Sequence, residues 1–299
     1  MKEVLLASNA DNAGVTPPQP NVWANPLLRS LVVDEARASK TMVDILQGYG
    51  AVPDPRLTLI LSKSQAWVQG KDGAEEWKGV PNGLPVTELS LPEYDNNHNS
   101  CIWGYMWGYD WNSAEKGDNI SKPKTDADFT PLGLMNYSEV CFLKAEAALR
   151  GWQGAGDAKT NYENGIRASF EEMRANAPKD SYSKSNDDKY ISEGNVAWNN
   201  ADSFEAKLEK IITQKWIGIY PNSEEAWAEF RRTGYPKLNP VKQSLEPTIN
   251  PKNGEFIKKL RYVDNELSNN KEYATDPTLN GGQGDGLSVR VWWDTARYK

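Results

Sequence analysis

Between residues 202 and 236 the apolar positions follow a helical rhythm that is punctuated at both ends. Phe204, Leu208, Ile211, Ile212 and Ile219 recur at steps built from three and four, which places them on one side of a helix. Asp202 is expected to cap that helix, with Glu205 in the capping-box position, and Pro221 to end it. Asn222 opens a second helix with Glu225 three residues on. Trp227 and Phe230 aim it at a core, Gly234 suits a left-handed C-terminal turn, and Pro236 blocks continuation. The expected product is a tight helical hairpin. Trp216 and Trp227 should be mostly buried in it, and Arg231 and Arg232 should pin the loop that follows.

The same signals recur upstream. Asn136 caps a helix over 136–151, with Glu139 at the capping-box position and Ala145, Ala147 and Ala148 small enough for close approach of a neighbour. A partner helix over 157–174 turns Tyr162, Ile166, Ser169 and Phe170 inward, and such a pair resembles a TPR unit. Near the N-terminus, residues 8–26 are polar and Pro-rich, hence a loop or arm. Met42, Val43, Ile45 and Leu46 form one helical face that stops at Gly48. Asp54 and Pro55 start a turn, and Leu57, Leu59 and Leu61 alternate as in a half-buried strand. Residues 62–135 carry few helix signals and many Gly, Pro, Asn and aromatic residues, with a turn at Asn82-Gly83. Long irregular stretches are usually functional or disordered, and the aromatic content argues against disorder. Residues 175–201 read as a polar loop or lid. Beyond 237 the periodicity fades, apart from a short strand expected at 289–294 with Trp292 and Trp293 on opposite faces.

This pattern gives a mainly α fold, a single unit over 1–299. A helical scaffold spans 27–61 and 136–236, irregular aromatic-rich loops span 62–135, and an irregular C-terminal segment spans 237–299. Composition narrows the chemistry. The 299 residues carry a formal charge of −7, which disfavours nucleic acid as a partner. One histidine and two cysteines leave no disulfide framework and no zinc spacing. No Walker-type loop or nucleophile elbow is present, and no catalytic residue, metal ligand or cofactor is expected. Asp126 and Asp128 are two carboxylates that could touch a cation. Glu225 and Glu229 beside Arg232 read as a surface ion-pair network. No apolar run reaches the roughly twenty residues of a membrane span.

Twelve Trp and thirteen Tyr stand against six Phe. Rings with a polar handle suit wet ligands as well as large cores. Trp103, Tyr105, Trp107, Tyr109 and Trp111 occupy every second position. In an extended chain they would share one side at intervals of about 6.6 Å, near the length of a sugar unit. Two readings are open: a stacking platform for sugars, or a buried aromatic ladder closing the loop on the scaffold. Trp67, Trp77 and Tyr94, with Asn82, Asn96 and Asn97, could form a facing wall or be ordinary loop packing.

The run TQKWIGIYPNSEEAWAEFRRTGYP at 213–236 resembles the signature of the SusD/RagB-like nutrient-binding outer-membrane lipoproteins. Further similarities lie in DPR at 54–56, GVPNGL at 79–84, the EV…LKAEAALRGW helix from Glu139, and the WW pair at 292–293. The resemblance implies a TPR-like scaffold with irregular loops that hold a nutrient at the cell surface. It implies capture of oligosaccharides without catalysis and their transfer to a SusC-like TonB-dependent transporter. Members of the family begin with a lipoprotein signal and a further helical half, so the chain is expected to be the C-terminal part of such a protein. Membrane contact would then run only through a lipid anchor absent from this chain. Three other readings stay open: a peptide-binding RagB-like receptor, a protein-binding helical scaffold and a glycoside hydrolase.

Overall fold

A computed structural model describes residues 5–15, 37–48, 51–107, 111–118, 132–175, 177 and 182–294. Strand β1 (Ala13–Val15) comes first, then helix α1 (Lys40–Leu46) and the single turns α2 (Leu57–Ile60), α3 (Gln65–Val68) and α4 (Val86–Leu89). Strand β2 (Leu132–Met135) leads into the long helices α5 (Tyr137–Leu149) and α6 (Ala158–Arg174). Short α7 (Asp187–Ser192) precedes the pair α8 (Phe204–Gly218) and α9 (Ser223–Thr233), and α10 (Asp264–Asn269) and α11 (Lys271–Ala274) follow. Among the described residues the only sheet is the antiparallel ribbon β1–β2, with Val15 opposite Leu132. The fold is mainly α, as the periodicity implied.

Each long helix begins where a short polar side chain meets an apolar stripe. Asn136 Oδ1 accepts the Glu139 N–H at 2.9 Å, and the Asp157 carboxylate accepts that of Thr160 at 2.8 Å. Asn222 caps α9 and Gly234 closes it at φ 80°. The expected cap of α8 is corrected by one residue: Ser203, not Asp202, accepts the Ala206 N–H. Asp202 instead meets Lys210 Nζ at 2.6 Å.

Helices α5 and α6 pack closely because Gly165 has no side chain. A Cβ there would lie 2.7 Å from the Phe142 ring. Ala145, Tyr162, Ile166, Ser169 and Phe170 are buried around this contact together with Leu208, Ile211 and Ile212 of α8. A second cluster gathers α1, residues 57–61 and residues 101–107. Here Leu57, Leu59 and Leu61 do not form the expected half-buried strand. They lie in and beside the turn α2, and all three are buried.

Arg56 explains that turn. Its side chain is wholly buried, and its Nε and Nη2 donate to both oxygens of Asp54 at 2.9 and 2.6 Å. Nη1 donates to Ser169 Oγ of α6 at 3.0 Å, and Nη2 also reaches Gln214 of α8. Tyr190 of α7 donates its hydroxyl to Asp54 at 2.6 Å. The residues after Asp54 therefore curl around one guanidinium and cannot extend.

The charges on the hairpin are not a surface network. Lys215 is 1 % exposed and reaches Glu225 at 2.8 Å and Glu139 and Glu229 at 3.3 Å. Burial pushes its ammonium pKa down, but the three carboxylates outweigh this and hold it above the ordinary range. Arg232 bridges Glu146 of α5 and Glu229 at 2.7 and 2.6 Å, so it ties helices together and does not pin the next loop. Arg231 does pin the following segment: it donates to the Lys258 carbonyl at 3.1 Å. Its guanidinium lies 3.8 Å from the Trp227 ring centroid and 4.8 Å from that of Trp293.

Trp216 and Trp227 are mostly buried, each keeping a minor part of its surface exposed. The Trp227 indole donates to the Ile257 carbonyl at 3.0 Å, which keeps one edge at the surface. Residues 289–294 form turns, not a strand, with Trp292 93 % exposed. Cys101 and Cys141 are buried thiols not joined in a disulfide. Asp126 and Asp128 lie outside the described residues.

Replacing Arg56 by Met would leave Asp54 buried without its cation. Urea unfolding should show a loss of about 3–5 kcal/mol. A loss under about 1 kcal/mol would mean that the ion pair does not hold the two clusters together.

Candidate functional site

The alternating aromatic run is not an exposed platform. Trp103, Tyr105, Trp107 and Trp111 are all buried, and Tyr109 lies outside the described residues. Tyr105–Trp107 and Trp111–Ser113 are 3₁₀ turns, so alternate residues do not share a side as they would in a strand. Trp103 meets Trp111 edge-to-face at 6.3 Å, and Trp107 meets Tyr220 in the same way at 6.3 Å. The Trp111 indole donates to the Lys63 carbonyl at 2.9 Å, which satisfies its polar handle inside the protein. Gly104 permits this packing, since a Cβ there would lie 2.2 Å from the Leu59 carbonyl oxygen. The run thus forms the buried ladder, the second of the two readings open from sequence.

The half-exposed rings are Trp67, Trp77 and Tyr94. Trp77 lines an open recess of about 630 Å³ with Pro53, Thr58, Lys63, Glu76 and Asn112. Local sequence builds this wall. Ser64 caps α3 by accepting the Trp67 N–H at 3.3 Å, and its own N–H donates to the Glu76 carbonyl at 2.9 Å. Lys63 Nζ lies 3.5 Å from the Glu76 carboxylate and 5.0 Å from the Trp67 ring centroid. Lys63 thus meets the Trp67 ring and also lines the recess that Trp77 lines. Asn112 is a strut: its Oδ1 accepts the Lys63 N–H at 2.9 Å, and its Nδ2 donates to the carbonyls of Thr58 and Leu61.

Tyr94 and Asn82 belong to another place. Arg37 donates to the Tyr94 carbonyl at 2.5 Å and lines a smaller recess of about 270 Å³ with exposed Asn82. Asn96 is half-buried, and its carbonyl receives the Cys101 thiol at 3.8 Å. The structure therefore leaves Trp77 on this recess and does not assemble the proposed wall: Trp67 packs instead beside Val68, Trp111 and Ala114. Sequence reasoning missed Thr58, Lys63 and Glu76. The only local hint was Lys63 four residues before Trp67, a spacing that lets a cation meet a ring on one helical turn.

A second cleft, of about 500 Å³, opens beside the β1–β2 ribbon, the start of α5 and the end of α6. Glu172 Oε1 accepts from Asn136 Nδ2 at 3.4 Å there. Burial pushes the Glu172 carboxyl up to about 7, against the single opposing bond from Asn136.

Comparison with known proteins follows the same lines. The family described as "SusD-like: Susd and RagB outer membrane lipoprotein" matches over residues 2–294. Among solved structures, a chitin-binding SusD homologue from Flavobacterium johnsoniae is 30% identical with a TM-score of 0.70, over 96% of this chain and 55% of its own. SusD homologues from Bacteroides ovatus and Bacteroides vulgatus are each 27% identical, with TM-scores of 0.71 and 0.69. They cover 96% and 98% of this chain and 57% and 55% of their own. The chain thus spans little more than half the length of these relatives. Comparison with curated proteins gives no match. No described helix is long and apolar enough to cross a membrane, and no group of three or more His, Cys, Asp or Glu among the described residues is placed to hold a metal ion.

Two outcomes test this geometry. Trp107→Ala should destabilise the protein by about 3–5 kcal/mol in denaturant unfolding, as truncation of a buried ring does. Parent-like stability would place the ring at the surface. For Glu172, the folded pKa of about 7 lies above the ordinary 4.5. Its contribution to stability is fully present below the ordinary value and is lost as pH rises through the folded one. The parent should therefore lose melting temperature relative to Glu172→Gln between those two pH values. Parallel melting profiles would show that the carboxyl titrates normally.

Proposed function

The chain belongs to the SusD-like family of outer membrane lipoproteins, and from that premise we propose that it binds glycans at the cell surface for uptake through a SusC-like transporter. The observation that carries this reading is the Trp77 recess. A half-exposed indole stacks on the C–H face of a sugar ring, and the neighbouring Lys63, Glu76 and Thr58 offer hydrogen bonds to its hydroxyls. The Lys63 ammonium also lies over the Trp67 ring. The buried ladder of Trp103, Tyr105, Trp107 and Trp111 stiffens the recess from behind, and the helical scaffold carries it.

Oligomers of N-acetylglucosamine are the first ligand class to try, because the Flavobacterium johnsoniae relative binds chitin. Binding proceeds without catalysis. Glycoside hydrolysis needs two carboxyl groups across the scissile bond, and Glu76 is the one carboxylate among the described lining residues.

In calorimetric titration with chitin oligosaccharides, Trp77→Ala should weaken binding by about 1–3 kcal/mol, by analogy with stacking of bases on aromatic rings. The sugar should remain uncut after prolonged incubation. Parent-like affinity in the variant would remove the recess from the binding surface, and product release would move the protein to the hydrolases.

A further inference from the structure

Four asparagines precede a glycine in this chain: Asn82, Asn164, Asn253 and Asn280. Such a pair can cyclise. The glycine backbone nitrogen, once it has lost its proton, attacks the asparagine Cγ and expels ammonia. Water then opens the cyclic imide to aspartate or isoaspartate. Glycine is the favoured neighbour because no Cβ crowds the nitrogen. The step needs a glycine N–H that no hydrogen bond holds and a side-chain amide that can swing over the backbone.

Folding withholds one or both at Asn164, Asn253 and Asn280. Gly165 lies inside α6, where its N–H belongs to the helical ladder. The Gly254 N–H donates to the Pro251 carbonyl at 2.9 Å. The Gly281 N–H donates to the Thr278 carbonyl at 3.0 Å, and the Asn280 amide is itself tied to the Gly284 carbonyl at 2.6 Å. Asn82–Gly83 differs on each count. Asn82 is exposed, and among the described residues neither its side chain nor the Gly83 N–H makes a hydrogen bond.

The surroundings of this turn also favour the step. The Asn82 carbonyl oxygen, which shares a peptide unit with the Gly83 nitrogen, accepts the Lys242 N–H at 3.1 Å. Removing the proton from that unit spreads negative charge onto this oxygen, so a donor fixed there stabilises the attacking anion. Packing also dictates the glycine. Gly83 has φ 71°, and a Cβ there would lie 2.4 Å from that of Val241. The C-terminal segment therefore imposes the residue that makes the pair reactive and supplies the donor that activates it. We propose that Asn82–Gly83 is a self-modifying turn, at which the folded protein converts Asn82 to aspartate and isoaspartate with uptake of water and loss of ammonia. In the isoaspartyl product the main chain gains a methylene, and the carbonyl that held Lys242 becomes a free carboxylate. The joint between this turn and residues 241–242 then loosens.

The test incubates the full chain at mildly alkaline pH, folded and in urea, and follows every Asn-Gly pair by peptide mapping. Asn82 should convert about as fast in the folded chain as in urea. Asn164, Asn253 and Asn280 should each be slowed by folding on the order of tenfold, because a bonded amide must first open. Asn82→Gln, which would have to close a ring one atom larger, should stay unconverted at that position. Hydrogen exchange at the Lys242 amide should speed up in the isoaspartyl form. The proposal is overturned if folding slows Asn82 as much as the other pairs, if another pair converts first in the folded chain, or if Lys242 exchange is unchanged in the isoaspartyl form.

Discussion

One buried guanidinium sets the arrangement of this molecule. Arg56 sits where the cluster around α1 and residues 101–107 meets the cluster between α5, α6 and α8. Taking a charge out of water costs several kcal/mol, and only good partners offset it. Arg56 has them: both Asp54 oxygens, Ser169, Gln214 and the Phe170 ring 5.3 Å from its centre. Those partners come from the turn before α2 and from helices α6 and α8. Asp54 in turn receives the Tyr190 hydroxyl of α7. A hydrophobic replacement could fill the space, but it could not specify which helices meet there.

A second set of charges works in the same way, beginning one residue beyond Gln214 on α8, at Lys215. Lys215 and Arg232 together engage four carboxylates from α5 and α9. The acid excess is felt at Glu139, whose carboxyl rises through burial and through its like-charged neighbours Glu225 and Glu229. Arg231, one residue from Arg232, faces away from this set. It is clasped by Trp227 and Trp293, so adjacent arginines serve helix packing and attachment of the C-terminal segment respectively.

The helices were legible in the sequence because their signals are local. Asn136, Asn222 and Gly234 act within a few residues, and the stripes of α6 and α8 need only the helical period. The charged residues misled because Glu225 and Glu229 beside Arg232 read as solvated. What buries Lys215 is the arrival of α5 and α9 on either side, which no local pattern announces. The aromatic run misled for a related reason. Alternation assigns a side only in an extended chain, and Tyr105–Trp107 is a 3₁₀ turn threaded past Leu59. Trp77 was among the sequence candidates, but Thr58 and Lys63 reach its recess by a tertiary route.

The segment between α1 and residue 101 has little regular structure, yet its backbone is stitched across long loops. Ala38 donates to the Ser100 carbonyl, Val80 to that of Ala38, and Lys40 to that of Val80. Ser62 donates to the carbonyl of Cys101, Ser64 to that of Glu76, and Ser100 to that of Lys78. Apart from Lys40, which opens α1, these amides belong to no helix, and they make only isolated bridges. Circular dichroism would count the region as coil, whereas amide hydrogen exchange would find it nearly as slow as the helices. A region that reads as coil by spectroscopy and as rigid by exchange owes its stiffness to bonds between loops and none to regular structure.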